Sequence, residues 1–194
     1  MRAARAVVIL PGMADPPVLL GARTRLRAWR PDDAEAIFRA CQDPEIQRFT
    51  TVPSPYRRED ADWFLAHHVH DVAAENGASF CVEGLDAPGA VAASMALLHV
   101  RDGLGEIGYW CAPWARGRGY VTDALGAVVA WAFGTGRAGT LELTTDPANA
   151  ASRAVARAAG FVEHRVDPAR VLRDGSVREL VVHRLGAPDR GDVR

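Results

Sequence analysis

The chain has 194 residues, of which 48% are hydrophobic and 24% are charged, and its formal net charge is −1. This length and balance fit one globular domain with a sizeable core, and they exclude the global basic field that draws a protein to nucleic acid or to a membrane surface. All 23 basic residues are arginine, so a Walker-type phosphate loop and Schiff-base catalysis, which both need a lysine, are excluded.

Cysteines and histidines give no indication of a metal site. The three cysteines, Cys41, Cys81 and Cys111, lie far apart and form no CxxC pair, so neither a zinc site nor a disulfide framework is predicted. His67 and His70 fit one helix face, but no carboxylate or cysteine completes an obvious ligand set. We expect the cysteines to be small buried side chains in a reducing compartment.

The N-terminus resembles a signal peptide only faintly, and we expect no membrane span. The apolar run "AVVIL" at 6–10 is shorter than the ~7–15 residues of a secretory core, and no run approaches the ~18 apolar residues of a membrane span. We therefore expect a cytoplasmic protein with neither a membrane nor a nucleic acid as partner. Residues 18–185 are predicted to form the domain, and 1–17 and 186–194 are predicted to be tails, too polar or too rich in Gly and Pro to pack.

In the first half of the domain, strands are predicted from period-2 alternation and helices from apolar residues at helical spacing. Pro31 suits the first turn of a helix, and Asn76-Gly77 suits the end of one. The predicted elements are a strand at 23–29, a helix at 30–42, a loop or broken helix at 45–56, a helix at 58–77, and strands at 79–84 and 90–100 joined by a turn.

In the second half, strands and helices alternate. The predicted elements are a strand at 106–111, a helix at 120–134, a strand at 141–145, a helix at 147–160, and strands at 161–166 and 178–185. Because some strands adjoin in sequence and others are separated by a helix, we expect an α+β domain. Its mixed sheet would contain antiparallel hairpins and at least one strand–helix–strand unit.

The segment "RGRG" at 116–119, hereafter the glycine loop, separates a predicted strand from a predicted helix. Free N–H groups at a helix N-terminus attract anions, and glycines let a phosphate approach the backbone. Arg116 and Arg118 would add charge-assisted contacts. The loop is therefore either a pyrophosphate cradle or a plain glycine-rich turn.

A dinucleotide site fits this loop poorly. "GRGYVT" begins like G-x-G-x-x-G but ends in Thr122, and "APWA" separates the loop from the strand. Glu142 stands near the expected ~20-residue distance of the acidic partner, but it falls early in its strand. A nicotinamide oxidoreductase thus remains only a weak alternative.

Four motifs in order resemble the GNAT N-acetyltransferase superfamily and, within it, the RimJ/RimL-like group. They are "LRAWRPDDAEAIF", "EIGYWCAPWARGRGYVTDAL", "DPANAASRAVARAAGF" and, inside the second, the motif Q/R-x-x-G-x-G/A. Arg116 takes the first position of that motif and Gly119 its central glycine, whereas Val121 departs from the small final residue. The resemblance covers about 18–185. It implies a mostly antiparallel sheet flanked by helices, with a splayed parallel strand pair that holds a cofactor.

The resemblance implies acetyl-CoA, or another acyl-CoA, as co-substrate, and no metal. The pyrophosphate would lie on the loop and the following turn, and the pantetheine arm would pair with the preceding strand near Tyr109 and Cys111. Asn149 would bond the arm through its side-chain amide, although Asn at this position also suits a helix N-cap. The cofactor-binding residues so predicted are Tyr109, Cys111, Arg116, Gly117, Arg118, Gly119, Tyr120, Val121, Thr122, Asn149 and Ser152.

The implied chemistry is attack of an amine on a thioester, which needs a base for the amine and a hydrogen-bond donor for the departing sulfur. Glu106 is the candidate base, unless it is a solvated strand carboxylate. Relatives that use a tyrosine as acid carry it seven residues after the asparagine, and this position is Ala156 here. Ser152 could instead bond the sulfur, or it is a surface hydroxyl. Glu106 and Ser152 are thus the predicted catalytic residues.

We interpret the protein as an N-acetyltransferase that acts on a primary amine, either a protein N-terminus or a small molecule. The alternative is a CoA-binding protein of the same fold that regulates or interacts with little catalysis. Acceptor choice is expected to depend on 45–60 and on the last hairpin, both rich in loops. The resemblance also makes a homodimer possible.

Overall fold

The computed structural model describes residues 15–172 and 175–188, so the stretch "AVVIL" of the predicted N-terminal tail lies outside the described residues. The strands are β1 Leu19–Leu20, β2 Thr24–Arg27, β3 Ala78–Gly84, β4 Ala87–Arg101, β5 Leu104–Cys111, β6 Thr140–Thr145, β7 Val162–Val171 and β8 Val177–Gly186. The α-helices are α1 Ala34–Ala40, α2 Pro44–Phe49, α3 Arg58–Trp63, α4 Val69–Ala74, α5 Tyr120–Gly134 and α6 Ala150–Ala158. None of the helices within these ranges is long and apolar enough to span a membrane.

All eight strands form one sheet in the order β1-β2-β3-β4-β5-β6-β8-β7. The β5–β6 pair is parallel, and the other described pairs are antiparallel. Helix α5 connects the two parallel strands, as a parallel pair requires. The prediction of a mixed, mostly antiparallel sheet flanked by helices is confirmed.

The two parallel strands separate halfway along their length. They pair from Leu104 opposite Thr140 to Ile107 opposite Leu143. Beyond this point, 108–111 pairs with β4 on its other side, and 144–145 pairs with β8. The predicted splay is therefore present, and it leaves two strand edges facing a gap.

Alternation along the central strands gives the sheet an apolar core on each face. Phe80 and Val82 of β3 belong to the core that includes Val121 and Leu125 of α5. Cys81, between them in sequence, belongs to the core on the other face with Ile37 of α1. Helices therefore cover both faces of the sheet, and the gap between β5 and β6 opens between the two layers.

The first helical region adds detail to the sequence prediction in two places. Of the two alternatives for 45–56, a loop or a broken helix, the structure has the broken helix: α2 ends at Phe49, and Asp43 caps its start by accepting from the N–H groups of Glu45 and Ile46, both at 3.0 Å. The predicted helix at 58–77 contains a π-helical segment, Phe64–His68, between α3 and α4.

Two ends of the sheet also differ from the sequence prediction. The short strand β1 was not predicted. Asp123, in the first turn of α5, holds the turn after β1 by accepting from the N–H groups of Ala22 and Arg23, both at 3.0 Å. Strand β8 extends to Gly186, the first residue of the predicted C-terminal tail, and the Ala187 N–H donates to the Gly139 carbonyl at 2.9 Å.

Candidate active site

A large cleft of about 840 Å³ occupies the gap between β5 and β6 and continues toward α2 and α3. It lies where the glycine loop, the splayed strands and the start of α6 come together. Toward the glycine loop and α6 its walls include Tyr109, Cys111, Arg116, Gly117, Gly119, Tyr120, Val121, Thr122, Asn149 and Ser152. Glu106 also lines this cleft. The structure thus brings together every predicted site residue except Arg118.

The glycine loop presents free backbone amides to the cleft. Gly117 and Gly119 have φ of 74° and 75°, a left-handed conformation that favours glycine. A Cβ built on either would meet no atom within 4 Å, so backbone conformation and not crowding demands glycine here. Gly119 begins α5 without a side-chain cap, and the Asp123 N–H is the donor to its carbonyl at 3.1 Å. The amides before Asp123 are therefore free to bind an anion.

Both arginines of the loop are held by carboxylates. Arg116 makes a bidentate pair with Asp43, with nitrogen–oxygen distances of 2.6 and 3.2 Å. Burial opposes ionisation of Asp43, but its bonds to Arg116 and to the Ile46 N–H outweigh that effect and hold the carboxyl pKa below its ordinary value. Arg118 pairs with Asp86 at 2.5 Å, and its guanidinium lies 5.0 Å from the ring centroid of Tyr120. A phosphate contact from either guanidinium would need to share it with a carboxylate.

The first residues of α5 contribute differently. The hydroxyl of Tyr120 donates to Asp86, and the side chain is buried. The side chain of Val121 packs in the core against the sheet. Tyr120 and Val121 can therefore meet a cofactor only through their backbone or the edges of their side chains, so the larger side chain of Val121 does not fill the cradle.

On the α6 side, Asn149 has the capping role that the sequence left open. Its Oδ1 accepts from the Ser152 N–H at 3.0 Å and so fixes the first turn of α6. Ser152 in turn lies within hydrogen-bond distance of Tyr109, with 2.7 Å between the two hydroxyl oxygens. Burial raises the pKa of Tyr109 to about 12. Sequence reasoning assigned only backbone contacts to Tyr109 and missed its hydroxyl, because β5 and α6 are brought together by tertiary packing.

Cys111, at the end of β5, is half-buried on the cleft wall. Its thiol lies 3.7 Å from the Ala112 carbonyl oxygen, and burial raises the pKa of the thiol. The residue is therefore a neutral thiol beside the open strand edge at neutral pH.

Glu106 lies where β5 and β6 begin to separate, and its side chain is 18% exposed. Its Oε2 accepts from Arg170 Nη2 of β7 at 3.1 Å and lies 3.7 Å from His99 Nε2. His99 Nδ1 is in turn 3.8 Å from a carboxylate oxygen of Glu75. Both contacts of Glu106 fall on Oε2, and Oε1 has no partner among the described residues. The carboxylate is therefore fixed by one oxygen, and the other is open to a hydrogen bond from a group in the cleft.

The far part of the cleft lies between 45–60 and the β7–β8 hairpin, the two regions from which acceptor choice was predicted. The Arg178 guanidinium of β8 donates to the Arg48 carbonyl at 2.7 Å and joins the two regions. The walls here are mainly apolar and aromatic and include Ile46, Phe49, Val52, Pro53, Tyr56, Trp63, Phe64, Leu172 and Leu180. This part of the cleft can receive an amine carried on an apolar or extended group.

Two further sequence candidates lie elsewhere. His67 and His70 belong to no group of three or more His, Cys, Asp or Glu side chains able to hold a metal ion within 15–172 and 175–188. Glu142, the acidic partner considered for a dinucleotide, is buried and bonds Arg184 at 2.6 Å, so it is engaged in the sheet.

Comparison with known proteins agrees with this geometry. The chain resembles RimJ of Mycobacterium smegmatis in complex with CoA-disulfide (22% identity, TM-score 0.76, 89% of this chain and 88% of that one). It also resembles the ribosomal L7/L12 α-N-protein acetyltransferase RimL in complex with coenzyme A, with 15% identity, a TM-score of 0.76, and coverage of 88% of this chain and 98% of that one. A third similar structure is the microcin C7 self-immunity acetyltransferase MccE in complex with acetyl-CoA and AMP, with 16% identity, a TM-score of 0.74, and coverage of 85% of this chain and 93% of that one.

At these sequence identities, the likeness to the solved structures shows that the chain has the same fold as they do. No curated protein matches the sequence. The sequence profile of the acetyltransferase (GNAT) domain, however, matches residues 23–162, most of the chain. With its glycine loop at an uncapped helix start and its splayed strand pair, the chain belongs to the GNAT acetyltransferase family.

Proposed function

We propose that the protein transfers an acetyl group from acetyl-CoA to a primary amine. The observation that carries this proposal is the alignment of three features in one cleft: the uncapped N-terminus of α5, the open edges of β5 and β6, and a carboxylate where the strands separate. Anion-binding amides at one end and unpaired strand edges beyond them suit a molecule with phosphates at one end and an amide-bearing arm.

The chain's residues divide into a binding set and a reacting set. The amides of Tyr120, Val121 and Thr122 would bind the pyrophosphate, and the strand edge at 108–111 would bond the arm. Asn149 caps α6 through Oδ1 and keeps its amide N–H groups for the arm. Acetyl-CoA, or another acyl-CoA, supplies the activated acyl group as a thioester when it is bound.

Glu106 would accept the proton that the amine must lose. Arg170 holds Oε2, and Oε1 is left for the amine or for a water between them. The acceptor would enter between 49–56 and the β7–β8 hairpin, where the walls are mainly apolar. Protein N-termini and small-molecule amines both remain acceptors under this proposal, in line with the ribosomal-protein and self-immunity acetyltransferases that share the fold.

An acceptor screen tests the proposal. Purified protein with acetyl-CoA is offered peptides beginning with Ser or Ala and a panel of small amines, and free thiol and product mass are both followed. Thiol release matched by an acetylated amine supports the proposal. CoA binding without thiol release for any amine would favour the CoA-binding regulatory protein instead. The cytoplasmic location and a homodimer stay predictions from the sequence and the resemblance.

A further inference from the structure

The hydroxyl pair formed by Tyr109 and Ser152 has no counterpart in the sequence prediction. The position where relatives carry an acidic tyrosine is Ala156, which is fully buried in the core and leaves no hydroxyl there. A tyrosine nevertheless reaches this region from β5, because Tyr109 places its hydroxyl 2.7 Å from that of Ser152 in the first turn of α6. Both residues line the cleft, Tyr109 on the part of β5 that has no β6 partner.

The acidity of the two groups decides which of them donates. A phenol is far more acidic than an aliphatic hydroxyl, so the stable arrangement has Tyr109 O–H donating to Ser152 Oγ. The carbonyl oxygen of Ser152 lies 3.5 Å from the same phenol, so both nearby acceptors belong to one residue. Burial raises the pKa of Tyr109 to about 12, and the phenol therefore remains a donor throughout the neutral range.

The hydrogen bond that Ser152 Oγ accepts from Tyr109 affects the direction and strength of the hydrogen bond that the serine hydroxyl itself donates. Because Oγ already accepts from Tyr109, its own proton is directed to a third group, and a hydroxyl that accepts a hydrogen bond becomes a stronger donor. The Ser152 N–H is bonded to Asn149 Oδ1 at 3.0 Å, so the backbone that carries this hydroxyl is fixed as well. Ser152 lines the cleft, and Tyr109 is the side chain that bonds its hydroxyl within the described residues, so the serine proton can be turned to a group bound in the cleft.

We propose that Tyr109 is a positioning residue that directs the Ser152 proton to the thioester sulfur and replaces that proton when the sulfur leaves. This inference rests on the proposed acetyl transfer. In the step, the amine nitrogen forms a bond to the acyl carbon and loses a proton to Glu106. The carbon–sulfur bond breaks with its electron pair on sulfur. Sulfur takes the Ser152 proton, Ser152 takes the Tyr109 proton, and solvent water returns a proton to Tyr109 while Glu106 releases the amine proton to solvent, so the site returns to its starting state.

The first test is a binding measurement that needs no turnover. Affinities for CoA and for desulfo-CoA, which lacks the sulfur, are measured by calorimetry for wild type, Tyr109→Phe, Ser152→Ala and Ser152→Thr. Wild type should prefer CoA about 3- to 10-fold, the size of one neutral hydrogen bond. The preference should disappear in Ser152→Ala, weaken in Tyr109→Phe, and persist in Ser152→Thr, which keeps a hydroxyl.

The second test is steady-state kinetics on the same proteins and the double variant. Tyr109→Phe should lower kcat about 3- to 10-fold, with the KM for acetyl-CoA and the melting temperature nearly unchanged. Because Tyr109 acts through Ser152, the double variant should be no slower than Ser152→Ala alone. A merely structural link between β5 and α6 would instead lower the melting temperature, raise KM and add to the serine effect.

The outcomes separate the two proposals. If wild type binds CoA and acetylates an amine while Tyr109→Phe matches it in both sulfur preference and kcat, the role of Tyr109 is overturned and the acetyl transfer stands. If Tyr109→Phe does not fold, equal behaviour of Ser152→Ala and Ser152→Thr would overturn the inference. If wild type acetylates no amine, the proposed function fails, and the role of the hydroxyl pair fails with it.

Discussion

Replacing Glu106 with glutamine tests the assignment of the base most sharply. Glutamine keeps the shape, and its amide oxygen can still accept from Arg170, so the side chain should stay in place. The ion pair becomes a hydrogen bond from the charged guanidinium to a neutral amide, which lowers the free energy of unfolding by about 1–2 kcal/mol. Losing a general base lowers the rate about 10²–10⁴-fold, equivalent to about 2.7–5.4 kcal/mol of activation free energy. The catalytic effect should therefore exceed the structural one.

The assay is initial-rate thiol release at saturating acetyl-CoA, with one acceptor amine of known pKa, across neutral and alkaline pH. The deficit of Glu106→Gln should shrink as the pH rises, because more of the amine arrives already deprotonated. Glu142→Gln is the matched control, since Glu142 lies opposite Glu106 on β6 but is bonded to Arg184 and does not line the cleft. That control should lose stability and keep its rate.

A Glu106→Gln protein that retains wild-type rates across the whole pH range would refute the assignment. Glu106 would then be a strand carboxylate that positions Arg170 and His99, and the base would be water or His99, whose Nε2 lies 3.7 Å away.

Three other predictions concern binding and stability. Gly119→Glu should weaken CoA binding about 10²-fold or more, because like charges ~4 Å apart near a surface repel by about 4 kcal/mol. The control is Gly136→Glu, at another left-handed glycine with open space (φ 69°). It bears the same backbone strain and should keep the wild-type affinity for CoA in calorimetry. Deleting 1–15 should leave the melting temperature and CoA affinity nearly unchanged, and a large loss of stability would show that "AVVIL" packs against the domain. Burial raises the pKa of Tyr109 and so favours the neutral phenol in the fold. This stabilisation is complete below pH 10 and is lost as the pH rises toward 12. Between pH 9 and 11 the unfolding free energy of wild type should fall by about 1 kcal/mol relative to Tyr109→Phe in chemical denaturation, and parallel curves for the two proteins would contradict this.

The elements that the sequence predicted well are those with local signals. Helix α5, Tyr120–Gly134, has the predicted bounds because a left-handed glycine precedes it and apolar residues recur along it at helical spacing. The parallel pair and its splay followed from the family resemblance, and pairing of 104–107 alone with β6 confirms them. Strand β1 is only two residues long, too short to show a period.

The contacts that the sequence missed join residues distant along the chain. Arg116 meets Asp43 across 73 positions, and Tyr109 meets Ser152 across 43. No periodic pattern or motif spacing encodes such pairs, since they depend on how whole elements pack. The sequence therefore indicated which residues surround the cleft, but not that the loop arginines are already paired or that a strand tyrosine reaches α6.

Amide hydrogen exchange with and without CoA is the most direct test of where the cofactor lies. The structure predicts slower exchange on CoA binding at two places: the first turn of α5, at Tyr120, Val121 and Thr122, and the open edge of β5 at 108–111. The amides of the first turn of α5, and those of 108–111 that point away from β4, are the free donors that a pyrophosphate and an amide arm would use. CoA binding that protects other segments and leaves both places unchanged would contradict the cofactor site proposed between β5 and β6.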